Sequence, residues 1–72
     1  SETFTAKVTR CEETHGGKYY FFFDNGQVWK QVKADRERYK DCSFNVTVTR
    51  DFFGFKMQPQ GEPRRIRISR VK

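Results

Sequence analysis

Lys18-Tyr19-Tyr20-Phe21-Phe22-Phe23-Asp24-Asn25-Gly26-Gln27-Val28-Trp29 is the stretch on which the fold turns. Five consecutive aromatics run into the strongest hairpin signal in the chain. Asn-Gly tolerates the positive φ angles of tight hairpin turns, whose twist matches the flanking strands. One strand is therefore predicted from Lys18 to Phe23 and another from Gln27 to Val32. The first is apolar on both faces. It is either a central strand covered on both sides or one that shows an aromatic face to water.

Register sets which ring goes where. With a two-residue Asn25-Gly26 loop, the expected register, Phe23 pairs with Val28 and Phe22 with Trp29. Phe21, Phe23 and Val28 then face the core, while Tyr20, Phe22 and Trp29 share an outward patch. With a three-residue loop and a bulged Gly26, Phe23 pairs with Gln27 and Phe21 with Trp29. Trp29 then joins the core, because a one-residue slip moves every side chain to the other face. An exposed Trp-Phe-Tyr cluster marks a binding surface. The plainer alternative is a second small core, covered by Lys33–Asp41 or by the C-terminal strand.

Outward from the hairpin, period-two alternation recurs and helix periodicity is absent. Phe4, Ala6 and Val8 alternate with Thr5, Lys7 and Thr9; Phe44, Val46 and Val48 with Asn45, Thr47 and Thr49; Ile66 and Ile68 with Arg65, Arg67 and Ser69. Each pattern is that of an antiparallel strand with one face to the core and one to water. Lys33–Asp41 lacks Gly and Pro and is highly charged, so an irregular connection with at most a short 3₁₀ turn is expected. Asp51-Phe52-Phe53-Gly54 reads as a turn of unusual aromatic content, before a short strand from Phe55 to Gln58. Pro59–Pro63 is a loop. The expectation is an all-β fold, a small five- or six-stranded antiparallel barrel, SH3-like or OB-like, occupying residues 1–72 as a single domain. Closure would also remove the edges that make such an aromatic strand an aggregation hazard.

The chain has 72 residues, 35% hydrophobic and 17% aromatic, with eight Phe, three Tyr and one Trp. A chain this short buries only about 60% of its unfolded surface, so its core is thin and a staple is expected. No apolar run approaches the roughly 20 residues needed to span a bilayer, and no signal-peptide pattern opens the sequence. The reading is neither an uncleaved precursor nor a membrane-spanning chain.

Formal charge is +6 and uneven: residues 1–36 carry six basic and five acidic groups, residues 37–72 nine and four. The sharpest cluster is Arg64, Arg65, Arg67, Arg70 and Lys72. Such a stripe favours polyanions, whether nucleic acid, anionic lipid headgroups or acidic glycans. Equally, it fits a solvated strand face that keeps a small domain soluble.

Cys11 and Cys42 are the only cysteines, and each falls at an expected strand boundary. Their spacing is no redox or zinc motif. In an oxidising compartment one disulfide is the natural reading, worth about 3–4 kcal/mol in the chain-entropy model; two buried free thiols are the alternative. Cys11, Glu12, Glu13, His15 and Cys42 form at best a weak zinc set, and no metal or cofactor is expected. His15, beside Gly16-Gly17, reads as a loop-tip residue. Catalysis has little support: there is one His, no Ser with an identifiable base, no phosphate loop, and the adjacent Glu12 and Glu13 point different ways on a strand. Asn45-Val46-Thr47 matches an N-glycosylation sequon inside a strand, which reads as chance.

Phe4-Thr5-Ala6-Lys7-Val8, Phe23-Asp24-Asn25-Gly26-Gln27-Val28-Trp29-Lys30-Gln31 and Ile66-Arg67-Ile68-Ser69-Arg70-Val71 together resemble a group of short exported proteobacterial β-barrel domains. Their pattern is an F-x-A-x-V first strand, an L-x-N-G-Q-x-W hairpin and a basic I-R-V-x-R last strand. Phe23 stands where the group carries Leu, and Asp51–Phe55 is richer in aromatics than in many of its members. The resemblance implies export to the periplasm or envelope, which suits a Cys11–Cys42 bridge. It implies no activity.

The expected function is a non-catalytic binding or structural module of the bacterial envelope. Tyr20, Phe22, Trp29, Lys30, Arg65, Arg67 and Arg70 form its candidate surface, and an envelope protein, an anionic lipid or a wall polymer is the partner. The alternative is a single-stranded nucleic-acid binder of OB or cold-shock type. There Tyr20, Phe22, Trp29, Phe52, Phe53 and Phe55 would stack on bases, and Lys18, Lys30, Lys56 and the Arg stripe would hold phosphates.

Overall fold

The computed structural model describes residues 2–72. Among the described residues six strands form, β1 (Thr3–Glu13), β2 (Tyr19–Phe23), β3 (Val28–Gln31), β4 (Phe44–Asp51), β5 (Gly54–Pro59) and β6 (Ile66–Arg70), and no helix. All pairings are antiparallel. They close a barrel in the order β1-β2-β3-β6-β5-β4. Two three-stranded meanders, β1-β2-β3 and β4-β5-β6, are thus sealed along β1–β4 and β3–β6. Closure leaves the aromatic strand β2 with a neighbour on each side, so it offers no free edge.

β1 serves two neighbours. Thr3–Val8 pair with Thr49–Phe44 of β4, and Val8–Glu13 pair with Phe23–Tyr19 of β2. The hand-over is a bulge between Val8 and Arg10, which bends a strand and increases its twist. Thr9, the extra residue, donates its hydroxyl to the Phe22 carbonyl at 3.2 Å. β1 therefore runs well past Val8, and Cys11 lies within it, not at its end. Cys42 precedes β4 by two residues.

The expected two-residue loop between β2 and β3 is not the one that forms. Phe21 lies opposite Trp29 and Phe22 opposite Val28. Phe23 N–H donates to the Gln27 carbonyl at 2.9 Å, and Gly26 N–H to the Phe23 carbonyl at 3.1 Å. The loop is Asp24-Asn25-Gly26, with Gly26 at φ 87° and Asn25 outside the left-handed region. A type I′ turn would need positive φ at both; a three-residue loop needs it only at the glycine. Side chains reinforce this choice. Asn25 Oδ1 accepts from Gln27 N–H at 2.9 Å. Asp24 docks on β1, donating its N–H to the Lys7 carbonyl at 2.8 Å and accepting from Lys7 N–H at 3.1 Å.

The slip exchanges Trp29 for Val28 in the interior. Trp29 is 2% exposed and Val28 only half-buried, which favours this register because the indole buries far more apolar area. Its ring packs on Phe55 (5.0 Å between centroids), Phe23 (6.1 Å) and Phe4 (6.4 Å). The indole N–H donates to Gln27 Oε1 at 3.0 Å. Asn25, Gly26, Gln27 and Trp29 thus act as one unit: a turn cap, a positive φ, and an acceptor for the buried ring. Val8, Tyr19, Phe21, Phe23, Val46, Val48, Met57, Ile66 and Ile68 complete the core.

The irregular segment from Val32 to Ser43 packs on the core through Tyr39 and Cys42. Tyr39 stands edge-on to Tyr19 (4.9 Å) and Phe21 (5.3 Å). Buried Gln31 accepts from Tyr19 N–H at 2.8 Å and donates to Asp35 at 3.3 Å. Tyr39 N–H donates to the Tyr19 hydroxyl at 3.3 Å, and Arg64 to the Tyr39 hydroxyl. Burial pushes the Tyr39 hydroxyl above its ordinary pKa, against the opposing pull of Arg64. The Cys11–Cys42 disulfide, Cα atoms 5.8 Å apart, ties this segment to β1.

Candidate functional site

The expected surface divides. Trp29 leaves it for the core. Tyr20 and Phe22 do face outward on β2, but each is half-buried. The Arg10 guanidinium lies 3.9 Å over the Phe22 ring and the Lys30 ammonium 5.4 Å from the Tyr20 ring. Arg10 is in turn held by Glu12 at 2.6 Å. Across β1, β2, β3 and β6 the outward row reads Glu12, Tyr20, Lys30, Ser69. These rings are capped by cations and leave no bare aromatic patch.

The arginines divide too. Arg65 precedes β6 and is exposed. Arg67 turns to Asp51 and makes a two-pronged contact, Nη1–Oδ1 2.8 Å and Nη2–Oδ2 2.9 Å. Arg70 has the alternation of Ile66 and Ile68 but emerges at the rim, donating Nε–H to the Lys72 carbonyl at 3.2 Å. Arg64 is bound to Glu62. No continuous stripe of free cations results.

The open aromatic surface lies elsewhere, on the β4–β5 hairpin. Phe52 is 94% and Phe53 82% exposed, with the rings edge-to-face at 5.3 Å. Asp51 pairs with Gly54 across the hairpin, and Gly54 adopts φ 129°, where a side chain would be strained. Asp51 Oδ1 accepts from Phe53 N–H at 2.9 Å, closing the turn on itself. The Arg67 fork and Lys56, 3.6 Å away, hold the same carboxylate. Hydrogen bonding to Arg67 is the main cause that drives the Asp51 carboxyl far below the usual carboxylate range, with the Phe53 N–H adding to it. The same contact raises Arg67.

Shallow depressions flank the tip. One of about 510 Å³ is lined by Val32, Phe53, Phe55, Arg67 and Arg70, the other of about 500 Å³ by Glu2, Arg50, Asp51 and Phe52. The arrangement is a braced, protruding pair of rings among cations. It can insert into or pack against an apolar layer with an anionic margin. Sequence reasoning placed Phe52 and Phe53 only among the rings of the nucleic-acid alternative. That platform does not assemble: Trp29 is buried, Phe55 is half-buried against it, and Tyr20 and Phe22 lie under cations. The Asp51–Arg67 brace has no sequence signal, since its partners are 16 residues apart on different strands.

Among the described residues no three or more His, Cys, Asp or Glu side chains converge into a metal-holding group. Among the described residues no helix is long and apolar enough to cross a membrane. No family model, curated protein or solved structure matches the chain.

Proposed function

We propose that the chain is a non-catalytic binding or structural module of the bacterial envelope, working in the oxidising periplasm. The observation that carries this reading is the pair of phenylalanines held 94% and 82% exposed on a tip braced by Asp51 and Arg67. Large rings in water cost free energy, and a small domain that braces them offers a contact surface. The Cys11–Cys42 disulfide supports an oxidising compartment, since cytosolic proteins rarely keep one. The resemblance at residues 4–8, 23–31 and 66–71 supports the envelope. Lys30, Tyr20 and Phe22 form a secondary, cation-capped face.

Two measurements test it. Alkylation of the protein in intact native cells should leave both cysteines unmodified until a reductant is added; two freely alkylated thiols would overturn the exported reading. A photo-crosslinking residue at position 53 should capture an envelope component, while one at exposed Asn45 should not. Absence of any capture at 53, or equal capture at both, would remove the tip as a contact surface. A second reading, single-stranded nucleic-acid binding, draws on the same two rings and on the +6 charge. It predicts binding to oligonucleotides that weakens steeply with salt.

A further inference from the structure

We infer that the Phe52–Phe53 tip is a reversible membrane-surface anchor that inserts both rings into the interfacial layer of an anionic bilayer. The inference rests on the binding-module reading and names its partner. Three observations favour a bilayer over other occupants.

The first is shape. The two rings stand beyond the strands, edge-to-face at 5.3 Å, with a shallow depression on either side. A convex apolar tip needs no preformed pocket in a fluid interface. Rings at 89° to one another do not present the parallel faces on which successive bases would stack. The second is the backbone at the tip. A free N–H is costly in an apolar layer, and the Phe53 N–H is already taken by Asp51. The third is charge. Arg50, Lys56, Arg67 and Arg70 surround the tip, against Glu2 and Asp51 only. Asp51 is neutralised by Arg67 and Lys56, and the exposed Glu2 carboxylate is met by Arg50 at 3.5 Å. Exposed Arg70, and Arg50 by exchanging its exposed Glu2 partner, are placed to reach lipid phosphates, and cations near such a surface add attraction that salt screens. Apolar insertion and a basic margin are the two signals that interfacial anchors combine.

The test is co-sedimentation of the disulfide-bonded protein with phosphatidylcholine vesicles, with and without phosphatidylglycerol, at low and physiological salt. Binding should require phosphatidylglycerol and weaken with salt. Phe52→Ser/Phe53→Ser should lower it by about tenfold or more, and Arg50→Gln or Arg70→Gln by about fivefold each at low salt. Trp29 is buried in the core, so its unchanged emission shows that each variant is folded. A Phe53→Trp variant should be quenched by brominated lipid well beyond the parent, whose one tryptophan, Trp29, is buried. Vesicle binding that is insensitive to the tip substitutions, or an unquenched Phe53→Trp, would overturn the proposal. So would tip-dependent binding to a single-stranded oligonucleotide with vesicles ignored. If position 53 crosslinks to a protein or wall polymer in cells while vesicles are ignored, the bilayer is wrong and the binding-module reading stands. Failure of both experiments overturns both.

Discussion

The barrel has two tight hairpins built from similar parts and put to opposite ends. Each turn contains an Asp, a glycine at positive φ and an Asx-type contact to the N–H two residues on. In the β2–β3 hairpin the loop residues are polar, and the flanking Phe23 and Trp29 go inside. In the β4–β5 hairpin the loop residues are themselves aromatic and project into water. The β2–β3 hairpin contributes the largest ring of the core. The β4–β5 hairpin contributes almost no burial at its tip, yet an ion pair from the neighbouring strand β6 braces it. The contrast separates a turn whose flanking rings fill the core from one that holds its own rings in water.

The largest effect should come from the core side of this contrast. Trp29→Ala should cost about 3–5 kcal/mol, read as a shift in urea midpoint, and in so small a domain it should leave little folded protein. Near-wild-type stability would mean that the indole is not the centre of the core. Reducing the disulfide should cost about 3–4 kcal/mol by loop-closure entropy, measured by thermal unfolding with and without reductant. Gln27→Ala should cost about 1–3 kcal/mol, because the buried indole N–H loses its acceptor; no loss would break the view of Asn25–Trp29 as one unit.

At the tip the effects should be smaller. Asp51 titrates in the folded state below its ordinary value of 3.8. Its contribution is therefore whole above that value and is lost as pH falls toward the folded pKa. Unfolding midpoints measured in acid should decline below about pH 4, and Asp51→Asn or Arg67→Gln should flatten that part of the profile. Smallest of all, Phe52→Ser and Phe53→Ser should each change stability by no more than about 0.5 kcal/mol. A substantial loss would show that the rings are structural and would erase the distinction between the hairpins.

Local pattern alone determined much of this protein. Alternation at Phe4–Val8, Phe44–Val48 and Arg65–Ser69 marks strands with a definite inner face, and Asn25-Gly26 marks the turn. Many short strands in so small a chain imply the closed all-β barrel that forms. Two cysteines in an oxidising setting have only one internal bridge to make. Tertiary structure decided the rest, for two physical reasons. Alternation constrains a strand only where its two faces differ in polarity. From Tyr19 to Trp29 both faces are aromatic or apolar, so the register followed from which choice buried more area across the whole barrel, and it sent Trp29 inward and Val28 toward the rim. Charge pairing, in turn, depends on distance in space. Arg67 reads in sequence as one of a free basic stripe, and only closure of β4, β5 and β6 sets it against Asp51. That contact removes a cation from the expected surface and braces Phe52 and Phe53 in water.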